Sequence, residues 1–173
     1  VVPGEIIAHE CLAILTTPLL VPFLEEMKCA DDARCATLLE RLTGRFGWKV
    51  PTVWSERINL ASAPALYLEL LHGATIRLRD VLHAPSNRDE AIACEVLYLN
   101  RDDGNHLLLP EPDTEIRAGD ELLLVGHRAA RPELALTLSN AHALTYVLTG
   151  QDVPGGWLWE KLSRRAAAKP APR

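Results

Sequence analysis

The chain has 173 residues and a mass of 19.1 kDa, with 48% hydrophobic residues, 24% charged residues and a mean hydropathy of +0.02. That length buries a core without metal or disulfide staples, and that balance excludes both a disordered tail and a membrane-spanning bundle. A net charge of −5 and a pI near 5.7 leave little material for the basic face that nucleic acid requires, so no nucleic-acid partner is expected.

The chain begins Val1-Val2-Pro3-Gly4 with no basic stretch ahead of an apolar signal core, and it reads as a fragment of something longer. From Glu5 onward Ile6, Ile7, Leu12, Ile14 and Leu15 recur at roughly helical spacing. Thr17 before Pro18 is a helix-start pair, and a second helix is predicted from Pro18 to about Met27, carrying Leu19, Leu20, Phe23 and Leu24. The most apolar stretch, Cys11 to Leu24, contains Pro18 and Pro22 and falls short of the ~20 residues a spanning helix needs. Asp31 and Asp32 open a third predicted helix, which runs through Leu38, Leu39 and Leu42 to Gly44. Between Trp48 and Pro64 the pattern is irregular, which suggests a boundary.

Beyond Pro64 the near-continuous apolar run Ala65 to Leu71 predicts a strand, Ile76 to Leu82 a short helix and Pro85 to Glu90 a polar loop. Ala93 to Leu99 and Asn105 to Leu109 flank Arg101-Asp102-Asp103-Gly104, where the Asp-Gly pair predicts an antiparallel hairpin. Pro110, Pro112 and Asp113 form a turn. Gly119 then permits a tight turn, Asp120 caps backbone amides there, and the strand Glu121 to Val125 follows, closed by Gly126. Ala130 to Leu138 predicts a helix, Ala143 to Leu148 one more strand, and Trp157 to Leu162 a docking segment before a tail with Lys161, Arg164, Arg165 and Lys169. The expected fold class is α+β: N-terminal helices over residues 1–56, a small mixed or antiparallel sheet lobe with flanking helices over 57–138, and an extension over 139–173.

Catalytic motifs are missing from the sequence. His9-Glu10 lacks the second histidine that a zincin helix carries four residues on, since position 13 is alanine, and neither GxxxxGK[ST] nor GxGxxG occurs. Cys11, Cys29, Cys35 and Cys94 contain no CxxC pair and are expected to be reduced, buried thiols. Cys29, Cys35 and Ser55 are formal nucleophiles, but nothing in the sequence sets a histidine and a carboxylate beside them, so no enzymatic activity is expected. Asp102, Asp103, Glu111, Asp113 and Glu115 offer oxygen ligands to a hard cation, yet their spacing is not that of an EF-hand and a solvated turn accounts for them. Arg77 and Arg79 on the short helix, with Arg101 at the hairpin mouth, read foremost as an exposed helical face and otherwise as a candidate cradle for an anionic ligand at a subunit junction.

The run ACEVLYLNRDDGNHLLLPEPDTEIRAGDELLLVG, followed by a leucine-rich helix, resembles the C-terminal lobe of RCK (TrkA-C) domains, which regulate potassium conductance. Pro112-Asp113-Thr114, Ile116, Arg117-Ala118, Gly119-Asp120, Leu122 to Val125 and Gly126 match the family phrase in order and without a gap. The likeness covers about Leu66 to Leu138, and the start of the chain through Thr17-Pro18 is similar to the end of an RCK N-lobe. Three segments depart from the family pattern: the link from Asp31 to Trp54, the loop from Pro85 to Glu90 and the addition from Ser139 to Arg173. The resemblance implies a regulatory domain on the cytoplasmic face of the membrane, part of a potassium channel or transporter. It implies a homodimer or higher homo-oligomer attached to a pore part; the apolar stripes from Glu5 to Met27 are read either as the subunit contact or as intrachain core. A nucleotide, cyclic dinucleotide or divalent cation would bias the gate; the resemblance transfers no ligand contact, and Arg77, Arg79, Arg101, Asp102 and Asp103 are candidates on their own chemistry, with Gly119, Asp120 and Gly126 as the structural turn. The alternative is a structural assembly module that senses nothing.

Overall fold

The computed structural model describes residues 17–47 and 51–151. The predicted helix from Glu5 to Leu15, with His9, Glu10 and Cys11, lies outside the described residues, as do the Trp157 to Leu162 segment and the basic tail.

Two helices come first, α1 (Leu20–Cys29) and α2 (Asp32–Phe46). The Asp31 carboxylate accepts the Arg34 N–H at 2.9 Å, so the short link between them supplies the N-cap of the second helix. The remaining elements are β1 (Thr52–Arg57), α3 (Pro64–Leu71), α4 (Leu78–Val81), β2 (His83–Ala84), β3 (Asn87–Ala91), β4 (Cys94–Asn100), β5 (His106–Leu108), β6 (Glu121–Gly126), α5 (Ala130–Ser139) and α6 (Ala141–Thr149). The fold class is α+β. One antiparallel sheet has the order β1-β6-β4-β5, and β2 and β3 form a separate hairpin.

The centre of the sheet explains the apolar run Leu122 to Val125. Leu122 and Leu124 enter one core with Trp54, Leu66, Leu78, Leu134 and Leu144, while Leu123 and Val125 enter a second core with Leu19, Phe23 and Phe46. A strand covered on both faces is apolar at every position instead of every other one. Each fully buried leucine contributes about 2 kcal/mol on removal from water. On β4 the pairing with β6 shifts between Val96 and Tyr98, so Leu97 is an extra residue. The bulge puts Val96 and Leu99 in the first core and the adjacent pair Leu97 and Tyr98 in the second, against α1 and α2.

Several predicted elements take a different form. Ala65 to Leu71 is helical, not extended: Pro64 occupies its first turn, Ala65 and Leu66 are buried, and Leu68 and Leu71 face outward. Ala143 to Leu148 also lies in a helix, because the Asn140 side chain accepts the His142 and Ala143 N–H groups and Gly150 closes α6 in the left-handed region. The irregular stretch from Trp48 to Pro64 contains β1, paired with β6 from Thr52 to Arg57, so a boundary after residue 56 would cut this strand. The polar loop from Pro85 to Glu90 is largely hairpin, with β3 made of the exposed residues Arg88 to Ala91 after a half-buried Asn87. Leu144 and Val147 of α6 are buried, so at least this part of the 139–173 segment belongs to the core. Among the described residues, no helix is long and apolar enough to cross a membrane.

Candidate functional site

The Gly119-Asp120 turn leads into the central strand. Gly119 has φ of +90°, a region open to glycine and strained for other residues, and its N–H donates to the Ile58 carbonyl at 2.8 Å. The Asp120 carboxylate accepts the Arg117 N–H at 2.8 Å, while the Asp120 carbonyl accepts the Ile58 N–H at 2.7 Å. Asp120 is 1% exposed, and burial pushes its carboxyl above the usual range against the opposing pull of the Arg117 N–H and of the Arg101 and Arg117 charges. At the far end of the strand a β-carbon on Gly126 would meet the Ala93 carbonyl oxygen at 2.6 Å, so close backbone approach requires glycine there.

The three candidate arginines sit along one loop without forming an open cradle. Arg77 precedes α4 and donates its N–H to the Asp80 carboxylate at 2.8 Å, and its guanidinium reaches Asp113 at 3.2 Å. Arg79 reaches the same Asp113 carboxylate at 2.5 Å. Arg101 donates to the Glu115 carbonyl at 3.3 Å, across from the backbone bridge between Glu115 and Arg77. At the hairpin tip Asp102 pairs with Arg57 at 3.2 Å and Asp103 with Arg117 at 3.8 Å. The Asn105 N–H groups hold the Asp103 carboxyl below the usual range. These charges neutralise one another at the surface, where solvent screening leaves such pairs little weight in stability. Among the described residues, no group of three or more histidine, cysteine, aspartate or glutamate side chains is placed to hold a metal ion.

Of the candidate residues, Arg79 alone lines a cleft beside the open edge of β4. The pairing of β4 with β5 begins at Tyr98, so no strand lies beside Glu95 and Val96 on that side. The chain leaves β5 at Leu109, whose φ is +51°, and Pro110 and Pro112 follow with no N–H to continue the ladder. The space so opened is a cleft of about 190 Å³, walled by Leu78, Leu82, Ala91, Val96, Pro110 and Pro112. Its polar groups are Arg45, Arg79, His83 and Glu95. Arg45, from the last turn of α2, pairs with Glu95 at 2.8 Å and donates to the Ile92 carbonyl at 3.1 Å. The His83 Nδ1 is buried and has no hydrogen-bond partner. Sequence reasoning missed Arg45, His83 and Glu95, because the cleft comes from a strand that stops early and from the packing of α2, neither of which leaves a local motif.

A second polar junction ties α1 to the sheet. One Glu26 carboxylate oxygen accepts the Tyr98 hydroxyl at 2.6 Å and meets His106 Nε2 at 2.9 Å, with the Tyr98 and His106 rings stacked at 5.7 Å. Burial, then the Glu26 contact, pushes the Tyr98 hydroxyl up. The expectation of uniformly buried thiols needs correction: Cys29 is exposed and Cys35 half-buried, whereas burial pushes the Cys94 thiol up to about 12. Cys29 is the last residue of α1, and Cys35 lies near the start of α2.

Comparison of the chain with protein-family models and with curated proteins finds no match.

Proposed function

We propose that the chain is a cytosolic regulatory lobe of a potassium channel or potassium transporter, acting by ligand-biased movement and not by catalysis. The observation that carries this reading is the course of the Pro112 to Gly126 phrase. Gly119 turns at positive φ, Asp120 caps the turn, and Glu121 to Gly126 forms the middle of the sheet between β1 and β4. These are the roles that make physical sense of the Gly-Asp-strand-Gly order by which the sequence resembles RCK C-lobes. The cleft beside β4 supplies a place where a ligand touches α2, the short helix α4 and the sheet at once. A ligand with different affinity for two arrangements of those elements shifts their populations, and an attached gate then responds. Homodimerisation through the N-terminal helices belongs to the same proposal.

Potassium flux through vesicles carrying the complete polypeptide, with and without residues 17–151, tests the reading. Flux that loses its ligand response on removal of this region supports it, and unchanged regulated flux refutes it. A thermal-shift screen with nucleotides, cyclic dinucleotides and divalent cations separates a sensor from a scaffold, because a ligand that binds the folded state raises the melting temperature.

A further inference from the structure

We infer that the cleft between α4, the β2–β3 hairpin and the open edge of β4 binds a small monocarboxylate with a single-ring or branched apolar body. The size comes first. A volume of about 190 Å³ is close to that of an engineered cavity of about 150 Å³ that takes benzene, so one ring and a carboxylate fill it and an entire nucleotide does not fit within it. The walls come next: Leu78, Leu82, Val96, Pro110 and Pro112 offer apolar surface to such a body.

An open donor selects the anion. Arg45 is engaged by Glu95 and Arg79 is paired with Asp80 and Asp113, so the cleft carries no excess of positive charge and an anion is recognised by a donor that these pairs leave open. Arg79 contacts Asp80 and Asp113 through Nε and Nη1, which leaves its Nη2 for a carboxylate oxygen. His83 also lines the cleft, and its Nδ1 is buried with no partner in the protein. Ala91 stands opposite His83 in the hairpin register and closes one side of the cleft.

The inference deepens the regulatory reading by naming a ligand class, and it is tested on the chain itself. Titration of the full chain with benzoate and with isovalerate, followed by amide chemical shifts, is expected to move resonances around the cleft with millimolar affinity. Acetate lacks the apolar body and benzyl alcohol lacks the charge, so both are expected to bind more weakly by about ten-fold. Arg79→Gln is expected to weaken benzoate binding by about five-fold or more. Ala91→Phe, at an exposed position, is expected to block the cleft with every charge in place. Equal binding of benzoate and benzyl alcohol, or undiminished binding in both variants, overturns the site, as does the lack of any benzoate shift. Benzoate binding with no effect on potassium flux leaves the site standing and removes the regulatory reading instead.

Discussion

The carboxylate of Asp102 fills the space that a β-carbon at Gly119 would occupy, so the hairpin tip and the turn before the central strand are packed against each other. Gly119 is held at φ of +90° by the Ile58 carbonyl that accepts its N–H. The contact joins two parts of the phrase on which the family resemblance rests.

Gly119→Ala combines left-handed strain with a collision against Asp102. It is expected to cost about 1–3 kcal/mol of stability. Urea denaturation gives the value. Asp102→Ala in the same background removes the collision alone and restores part of the loss.

Asp120 should behave oppositely to most surface carboxylates. Its folded-state proton affinity is raised, so the ionised form costs stability at neutral pH, and that cost disappears as pH falls through the folded value. Asp120→Asn keeps an oxygen for the Arg117 N–H and is expected to be more stable than the parent at about pH 7, with the gap closing in acid. A gap that widens as the solution is acidified contradicts the assignment.

Tyr98→Phe removes the hydroxyl that links the sheet to Glu26 on α1 and is expected to cost about 0.5–1.5 kcal/mol. Because the Tyr98 proton is held more tightly in the folded chain, its stabilisation is present below the ordinary tyrosine range and lost as pH rises through and beyond it. Ultraviolet titration of parent and variant should isolate a late-ionising hydroxyl in the parent. A Tyr98 hydroxyl that ionises together with Tyr67 and Tyr146 argues against the link.

Thiol chemistry offers a separate check on the layers. Iodoacetamide on the native chain is expected to label Cys29, which is exposed, and to spare Cys94, which is buried in the core with its thiol pushed up to about 12. Peptide mass mapping before and after unfolding measures both sites. Native labelling of Cys94 at a rate near that of Cys29 would mean that the sheet opens readily at that end.

The hairpin and its Asp-Gly signal, the central strand and the helix after it were legible because each depends on local chemistry: Gly104 and Gly119 at positive φ, an unbroken apolar run, and leucines at helical spacing. The misread segments share a cause. Ala65 to Leu71 and Ala143 to Leu148 are apolar enough to pass as buried strands, and only the end signals Pro64, Asn140 and Gly150 distinguish the helices they form. β1 and β3 were overlooked because their polar faces meet solvent and their pairing partners lie far away or carry no pattern of their own. At the site, Arg79 was visible in the sequence, while Arg45, separated from Glu95 by fifty residues, becomes its neighbour only through tertiary packing.

The extra residue at Leu97 has a mechanical consequence for the sheet. A regular strand can slide two positions along its neighbour and keep every side chain on its own side. On β4 the inward and outward alternation changes phase partway along, so any such slide would send Val96 or Tyr98 into the wrong layer. The bulge thereby opposes slippage and fixes the register between the hairpin tip at one end of the strand and the cleft at the other.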